Sequence, residues 1–217
     1  MNKQKIINEV AKTVKRNLKN EGSGHDWWHV YRVWKMAKHI GKKESVNMFI
    51  VELAALLHDI ADWKFHSGDD TIGPKKAKQF LIKYKVSKDI IDHVCNIIAT
   101  MSFKGAGVKT EMKTIEGKVV QDADRLDAIG AVGIGRAFAY GGYENRPMYD
   151  PNKKFAIHQS KEEYFKSKIS TIHHFYEKLL FLKEHMNTKT AREIAQGRHK
   201  FIELFLERFF QEWEGKI

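Results

Sequence analysis

At positions 58 and 59 a histidine and an aspartate stand side by side, closing the apolar run Leu53-Ala54-Ala55-Leu56-Leu57, and a second aspartate follows at 62. Burying such polar groups costs several kcal/mol each, roughly, unless something pairs with them. Either they satisfy one another or a metal ion does. Two other stretches offer partners. His25 and His29 stand one turn apart in GHDWWHVYRV, and VVQDADRLDAIGA supplies Asp122, Asp124 and Asp127. Neutral imidazoles and carboxylates, three or four in number and drawn from separate helices, are the donor set of a divalent ion. The chemistry open to such a set is metal-assisted hydrolysis. At ~100° per helical residue, His58 and Asp59 can still reach one ion from the same side. Asp122 and Asp124 diverge by ~200°, so only one of them can face it. Asp124 shares a face with Asp127, which makes Asp124 the ligand candidate and Asp127 its neighbour in the pocket.

The elements that must carry these groups are helices. A chain of 217 residues with 42% hydrophobic content, 5 Trp and 13 Phe is long enough and apolar enough to bury one sizeable core. Ile6, Ile7, Val10, Val14 and Leu18 form a helical stripe that ends at the glycines of EGSG. WWHVYRVWKMAKHIG reads as a second helix ending at Gly41, and Val46 to Ala61 as a third, apolar nearly all round and therefore central. Gly73-Pro74 marks the start of a fourth, and Ser87 caps a fifth. A sixth spans Ile115 to Ile129 and runs into the small-residue stretch AIGAVGIGRAFAYGG. A loop is expected over 141–159, then two long amphipathic helices over 161–184 and 188–213. Phe201, Phe205, Phe209 and Trp213 recur every four residues in the last helix and are expected in its core face. No alternating strand pattern or repeat is visible, so the fold class is all-α.

Charge and cysteine content bound the function. An excess of 38 basic over 27 acidic residues, +11, favours anionic partners, whether phosphorylated metabolites or nucleic acid. The lysines are spread along most helices with no arginine-rich stripe between exposed aromatics, which disfavours nucleic acid. The single Cys95 makes no internal disulfide, and the opening MNKQKIINEV lacks the apolar core of a signal peptide. A cytoplasmic protein with no membrane partner is the expectation, and a homodimer is compatible with it.

The order H…HD…D, here His29, His58-Asp59 and Asp124, resembles the HD-domain superfamily of metal-dependent phosphohydrolases. LLHDIAD and the ADRL context of Asp124 are the specific parts. The resemblance extends over nearly the whole chain to the small bacterial members that act on nucleoside triphosphates, through GHDWWHVYRV, the AFAYGG-to-RPMYDP stretch and HHFYEKLL. It implies a single helical HD domain over 1–217, with a core at about 20–130 and the C-terminal helices, about 161–213, packing on it. It also implies one divalent ion, Mn, Mg, Ni or Fe, held by His29, His58, Asp59 and Asp124. The reaction implied is nucleotide pyrophosphohydrolysis. A nucleoside monophosphatase or cyclic-nucleotide phosphodiesterase would use the same residues. Two-metal members carry further histidines after the dyad; here only His66 and His93 lie between Asp59 and Asp124, and Met101 stands where a partner would be needed.

Roles for the remaining groups follow from reach. Asp62, one turn beyond His58, is either the carboxylate that moves the proton of the attacking water or a helix-end carboxylate bonded to a lysine. Lys64 and His66 lie where phosphate oxygens could meet them. His25 could touch phosphate or support a ligand. Arg125 faces phosphate or pairs with Asp122 or Glu116, and Arg146-Pro147 sits in a loop long enough to bind nucleotide. His173-His174 are expected to serve core packing ahead of substrate contact.

Overall fold

The structure, a computed structural model, describes residues 2–18, 24, 26–60, 71–101, 111–154 and 169–217. Among them there is no strand, and no helix is long and apolar enough to cross a membrane. The helices are α1 (Lys3–Asn17), α2 (Trp27–Gly41), α3 (Met48–Leu57), α4 (Ile72–Lys83), α5 (Lys88–Thr100), α6 (Ile115–Asp127), α7 (Gly130–Tyr143), α8 (Thr171–Glu177) and α9 (Lys189–Trp213), with a 3₁₀ helix at Leu179–His185. The chain divides into two compact units, the boundary falling inside α6 between Ala123 and Asp124.

In the first unit α3 is the centre. Every residue from Phe49 to Leu57 is buried, as a helix apolar on all faces requires. α2 packs on it along one side and α1 and α5 on others, while α4 packs on α5. Leu53, Leu56 and Leu57 are fully buried, and each contributes roughly 1.5–3 kcal/mol by leaving water. Caps set where the helices begin. The Asp26 carboxylate accepts the His29 N–H at 2.9 Å and starts α2, and Asn47 accepts the Phe49 N–H at 3.2 Å and starts α3. The Asn47 N–H in turn donates to Glu116 at 2.9 Å, tying the head of α3 to α6. α3 itself is shorter than the expected Val46–Ala61: His58 to Ile60 form a turn, and residue 61 lies outside the described residues.

In the second unit α7 and α9 pack together, with α8 and the 3₁₀ helix against them. α6 does not run on into the small-residue stretch. Gly130 has φ +78°, a conformation that costs L side chains and ends one helix before the next begins. The expected helix over 161–184 is broken: residues 161–168 lie outside the described residues, α8 stops at Glu177, and the backbone at Lys178 (φ −137°) leads into the 3₁₀ helix. His173 is buried, with Nε2 donating to the Lys153 carbonyl at 2.9 Å and Nδ1 2.6 Å from the Ser170 hydroxyl, and its ring stacks on Tyr149. It therefore ties the 146–154 segment to α8.

The core face of α9 differs from the expected aromatic series. Ala191, Ala195, His199, Ile202 and Leu206 are buried, whereas Phe201 and Trp213 are 48% and 45% exposed. A repeat of four drifts by ~40° per step on a helix of 3.6 residues per turn, so the three steps from Phe201 to Trp213 turn the series by ~120° and cannot hold one face. Phe205 and Phe209 do reach neighbours: Phe205 stacks on Phe175, and Phe209 meets Tyr149 edge-on.

Candidate metal centre

Three of the expected ligands converge in the first unit. His29 lies in the first turn of α2, fully buried, with its backbone held by the Asp26 cap. His58 stands at the C-terminal end of α3 and Asp59 in the turn that follows. His29 Nε2 is 3.1 Å from His58 Nε2 and 3.3 Å from Asp59 Oδ2, and His58 Nε2 is 3.5 Å from the same carboxylate oxygen. The imidazoles meet edge to face, ring centroids 5.2 Å apart.

The donor chemistry fits a cation. His58 Nδ1 donates to the Ala55 carbonyl at 2.8 Å, which fixes a proton there and orients the ring. Nε2 is thereby turned towards another imidazole nitrogen and a carboxylate. A point equidistant from donors 3.1, 3.3 and 3.5 Å apart lies about 1.9 Å from each, close to the 2.0–2.2 Å of nitrogen and oxygen bonds to a divalent metal. The C-terminal end of α3 also carries the negative pole of its helix dipole, which favours positive charge at that place. Among the described residues this is the one group of His, Cys, Asp and Glu side chains spaced to hold an ion.

The end of α6, in the second unit, is organised differently. Asp124 is half-buried on α6. Asp127 is buried, and its Oδ2 is 3.0 Å from Arg136 Nη1 of α7. Arg198 of α9 donates to the Leu126 carbonyl at 2.5 Å, and its aliphatic stem passes 3.0 Å from where a Cβ on Gly130 would stand. Burial lowers the Arg198 pKa, and Asp127 opposes that shift. Arg125 is buried and donates to the His185 carbonyl. Arg146 lies over the Tyr140 ring, 5.4 Å from its centroid. His93, half-buried, has Nε2 3.7 Å from Glu116. The sequence analysis singles out neither Arg136 nor Arg198, since no motif there marks which partner either guanidinium meets. His25, Asp62, Lys64 and His66 lie outside the described residues.

Residues 27–129, from the start of α2 to just past α6, match the model of the HD domain. The YpgQ protein of Bacillus subtilis is 41% identical over 218 residues, covering 99% of this chain and 97% of that protein. A solved HD-superfamily hydrolase from Bacillus thuringiensis is 43% identical with a TM-score of 0.75, over 98% of this chain and 99% of that one. The crystal structure of YpgQ in complex with ADP superposes with a TM-score of 0.74 at 39% identity, over 95% of this chain and 97% of that one.

Proposed function

The chain belongs to the HD-domain family, and on that premise we propose that it is a metal-dependent phosphohydrolase acting on nucleotides, foremost as a pyrophosphohydrolase of nucleoside and deoxynucleoside triphosphates. The observation that carries the proposal is the triangle of His29, His58 and Asp59 donors, 3.1–3.5 Å on a side, at the cationic-favouring end of α3. Support for a nucleotide comes from the relative crystallised with ADP.

His29, His58 and Asp59 hold one ion, Mn, Mg, Ni or Fe, and Asp124 joins them through the motif order H…HD…D. Such an ion, when bound, lowers the pKa of water towards ~7 and neutralises phosphate oxygens. The Ala55 carbonyl accepts the proton on His58 Nδ1 and so orients Nε2 as the ligand atom. Asp62 accepts the proton of the attacking water. Lys64, His66 and His25 meet the phosphate oxygens. Asp127 contributes by holding the Arg136 guanidinium. The +11 excess steers a small polyanion from the cytoplasmic pool of soluble nucleotides.

The test is a hydrolysis screen over nucleoside mono-, di- and triphosphates and cyclic nucleotides, each with Mn, Mg, Ni and Fe, separating phosphate from pyrophosphate. Pyrophosphate release from triphosphates is the expected result. Turnover confined to monophosphates or cyclic nucleotides would replace the substrate assignment and keep the chemistry. No turnover of any nucleotide, with steeply salt-dependent duplex binding that survives Asp59→Ala, would overturn both. A duplex-binding surface loses ~10³–10⁵ in affinity between about 50 and 200 mM salt.

A further inference from the structure

Glu52 is a single carboxylate in the middle of the most apolar helix of the first unit, MFIVELAALL, with buried residues on both sides of it and 7% of its own surface exposed. Its Oε2 accepts the Trp34 indole N–H at 2.9 Å and lies 3.4 Å from Lys38 Nζ. Trp34 and Lys38 stand one turn apart on α2, and the Lys38 ammonium also sits over the Trp34 ring, 5.2 Å from its centroid. One oxygen of α3 thus accepts a hydrogen bond from an indole and pairs with an ammonium, both from a single face of α2.

Burying a carboxylate costs free energy that an apolar residue at the same place would not, and replacing buried ion pairs by apolar groups is often neutral or stabilising. Stability is therefore a poor reason for Glu52. An acceptor fixed against two donors does supply one thing that Leu, Ala and Val side chains do not: a single axial register between two helices. That register matters here. α2 carries His29 in its first turn and α3 carries His58 at its end, and the helices run antiparallel, with Trp34 beside Glu52 and His29 beside His58. Glu52 lies six residues, about 9 Å of helix, before His58. A slide of α2 along α3 by one turn, ~5.4 Å, would separate the two Nε2 atoms that now stand 3.1 Å apart.

We propose that Glu52 is a positioning residue, a register pin between α2 and α3 that keeps His29 in line with His58 and Asp59 for metal binding. The inference rests on the reading of those three as metal ligands. It separates metal affinity from stability: the pin serves the first and is dispensable for the second. Lys38, whose side chain is 35% exposed, can turn to solvent when the carboxylate is gone.

Isothermal titration of the chelator-stripped, full-length protein with Mn²⁺, paired with thermal unfolding of the same apo samples, tests this. Glu52→Met is expected to unfold at or near the wild-type Tm and to bind Mn²⁺ ~10–100-fold more weakly, the usual loss when a group that orients a ligand is removed. Glu52→Gln keeps an acceptor for Trp34 and should stay within about threefold of wild type. Wild-type affinity in Glu52→Met overturns the pin. Should Glu52→Met fail to fold, Trp34→Phe decides: a weakened affinity at unchanged Tm supports the pin, and an unchanged affinity overturns it. His58→Ala is titrated alongside; if it too binds Mn²⁺ as wild type does, the ligand assignment itself has failed and the pin falls with it.

Discussion

Two aspartates at helix ends meet opposite surroundings. Asp59, one residue past His58 at the end of α3, faces the Nε2 atoms of His29 and His58 at 3.3 and 3.5 Å. Asp127, closing α6, faces the Arg136 guanidinium at 3.0 Å, with Arg198 close enough to feel its charge. Both read from sequence as candidates for the same site. The partner distinguishes them. A carboxylate oxygen set 3.3 and 3.5 Å from two imidazole nitrogens forms with them a donor set suited to a divalent cation. A buried carboxylate already bonded to a guanidinium has its cation built in.

Substitutions can break this contrast at either end. The largest effect is expected in the first unit: His58→Ala or Asp59→Ala should abolish Mn²⁺ binding by calorimetry and nucleotide hydrolysis with it, because a ligand is lost outright. Asp62→Asn should keep the ion and lose ~10²–10⁴ in kcat, the usual worth of a positioned proton acceptor. A wild-type rate in that variant would remove Asp62 from the mechanism. At the other end, Asp127→Ala should lower unfolding stability by about 1–3 kcal/mol, since it removes a buried carboxylate bonded to the Arg136 guanidinium. Denaturant unfolding checks the loss, and Mn²⁺ affinity should stay within about twofold of wild type, the opposite pattern from Asp59→Ala.

The smallest effect is a pH dependence in the second unit. Burial, with Arg125 adding to it, pulls the His185 imidazole below its ordinary 6.5. The unfolded chain then binds more protons than the folded one as acid is added, so the stabilisation is complete above about 6.5 and is lost as pH falls through the folded-state value. His185→Gln should flatten the acid limb of a Tm–pH curve and leave the limb above pH 7 unchanged.

How legible all this is in the sequence depends on the range of the interaction. α2 lies where the pattern predicts, Trp27 to Gly41, because its start is a local event: Asp26 caps it three residues before His29. The His58-Asp59 pair is legible because two polar groups against an apolar run have few ways to be satisfied. The break at Gly130 is missed since that glycine is one of five in AIGAVGIGRAFAYGG, and a φ of +78° shows only in the backbone. Arg136 and Arg198 are missed for a different reason: which carboxylate or carbonyl an arginine meets is decided by the packing of distant segments. Glu52 does leave a trace, a lone carboxylate in MFIVELAALL, but its two donors on α2 become visible only when the helices are side by side.

The most direct test of the central claim, that His29, His58 and Asp59 form a metal centre, is calorimetric titration of the chelator-stripped wild type with Mn²⁺ beside His29→Ala, His58→Ala and Asp59→Ala. One equivalent bound by the wild type and no measurable binding by any of the three variants is the predicted result. Wild-type binding retained in all three variants, or a wild type that takes up none of Mn, Mg, Ni or Fe, would contradict it.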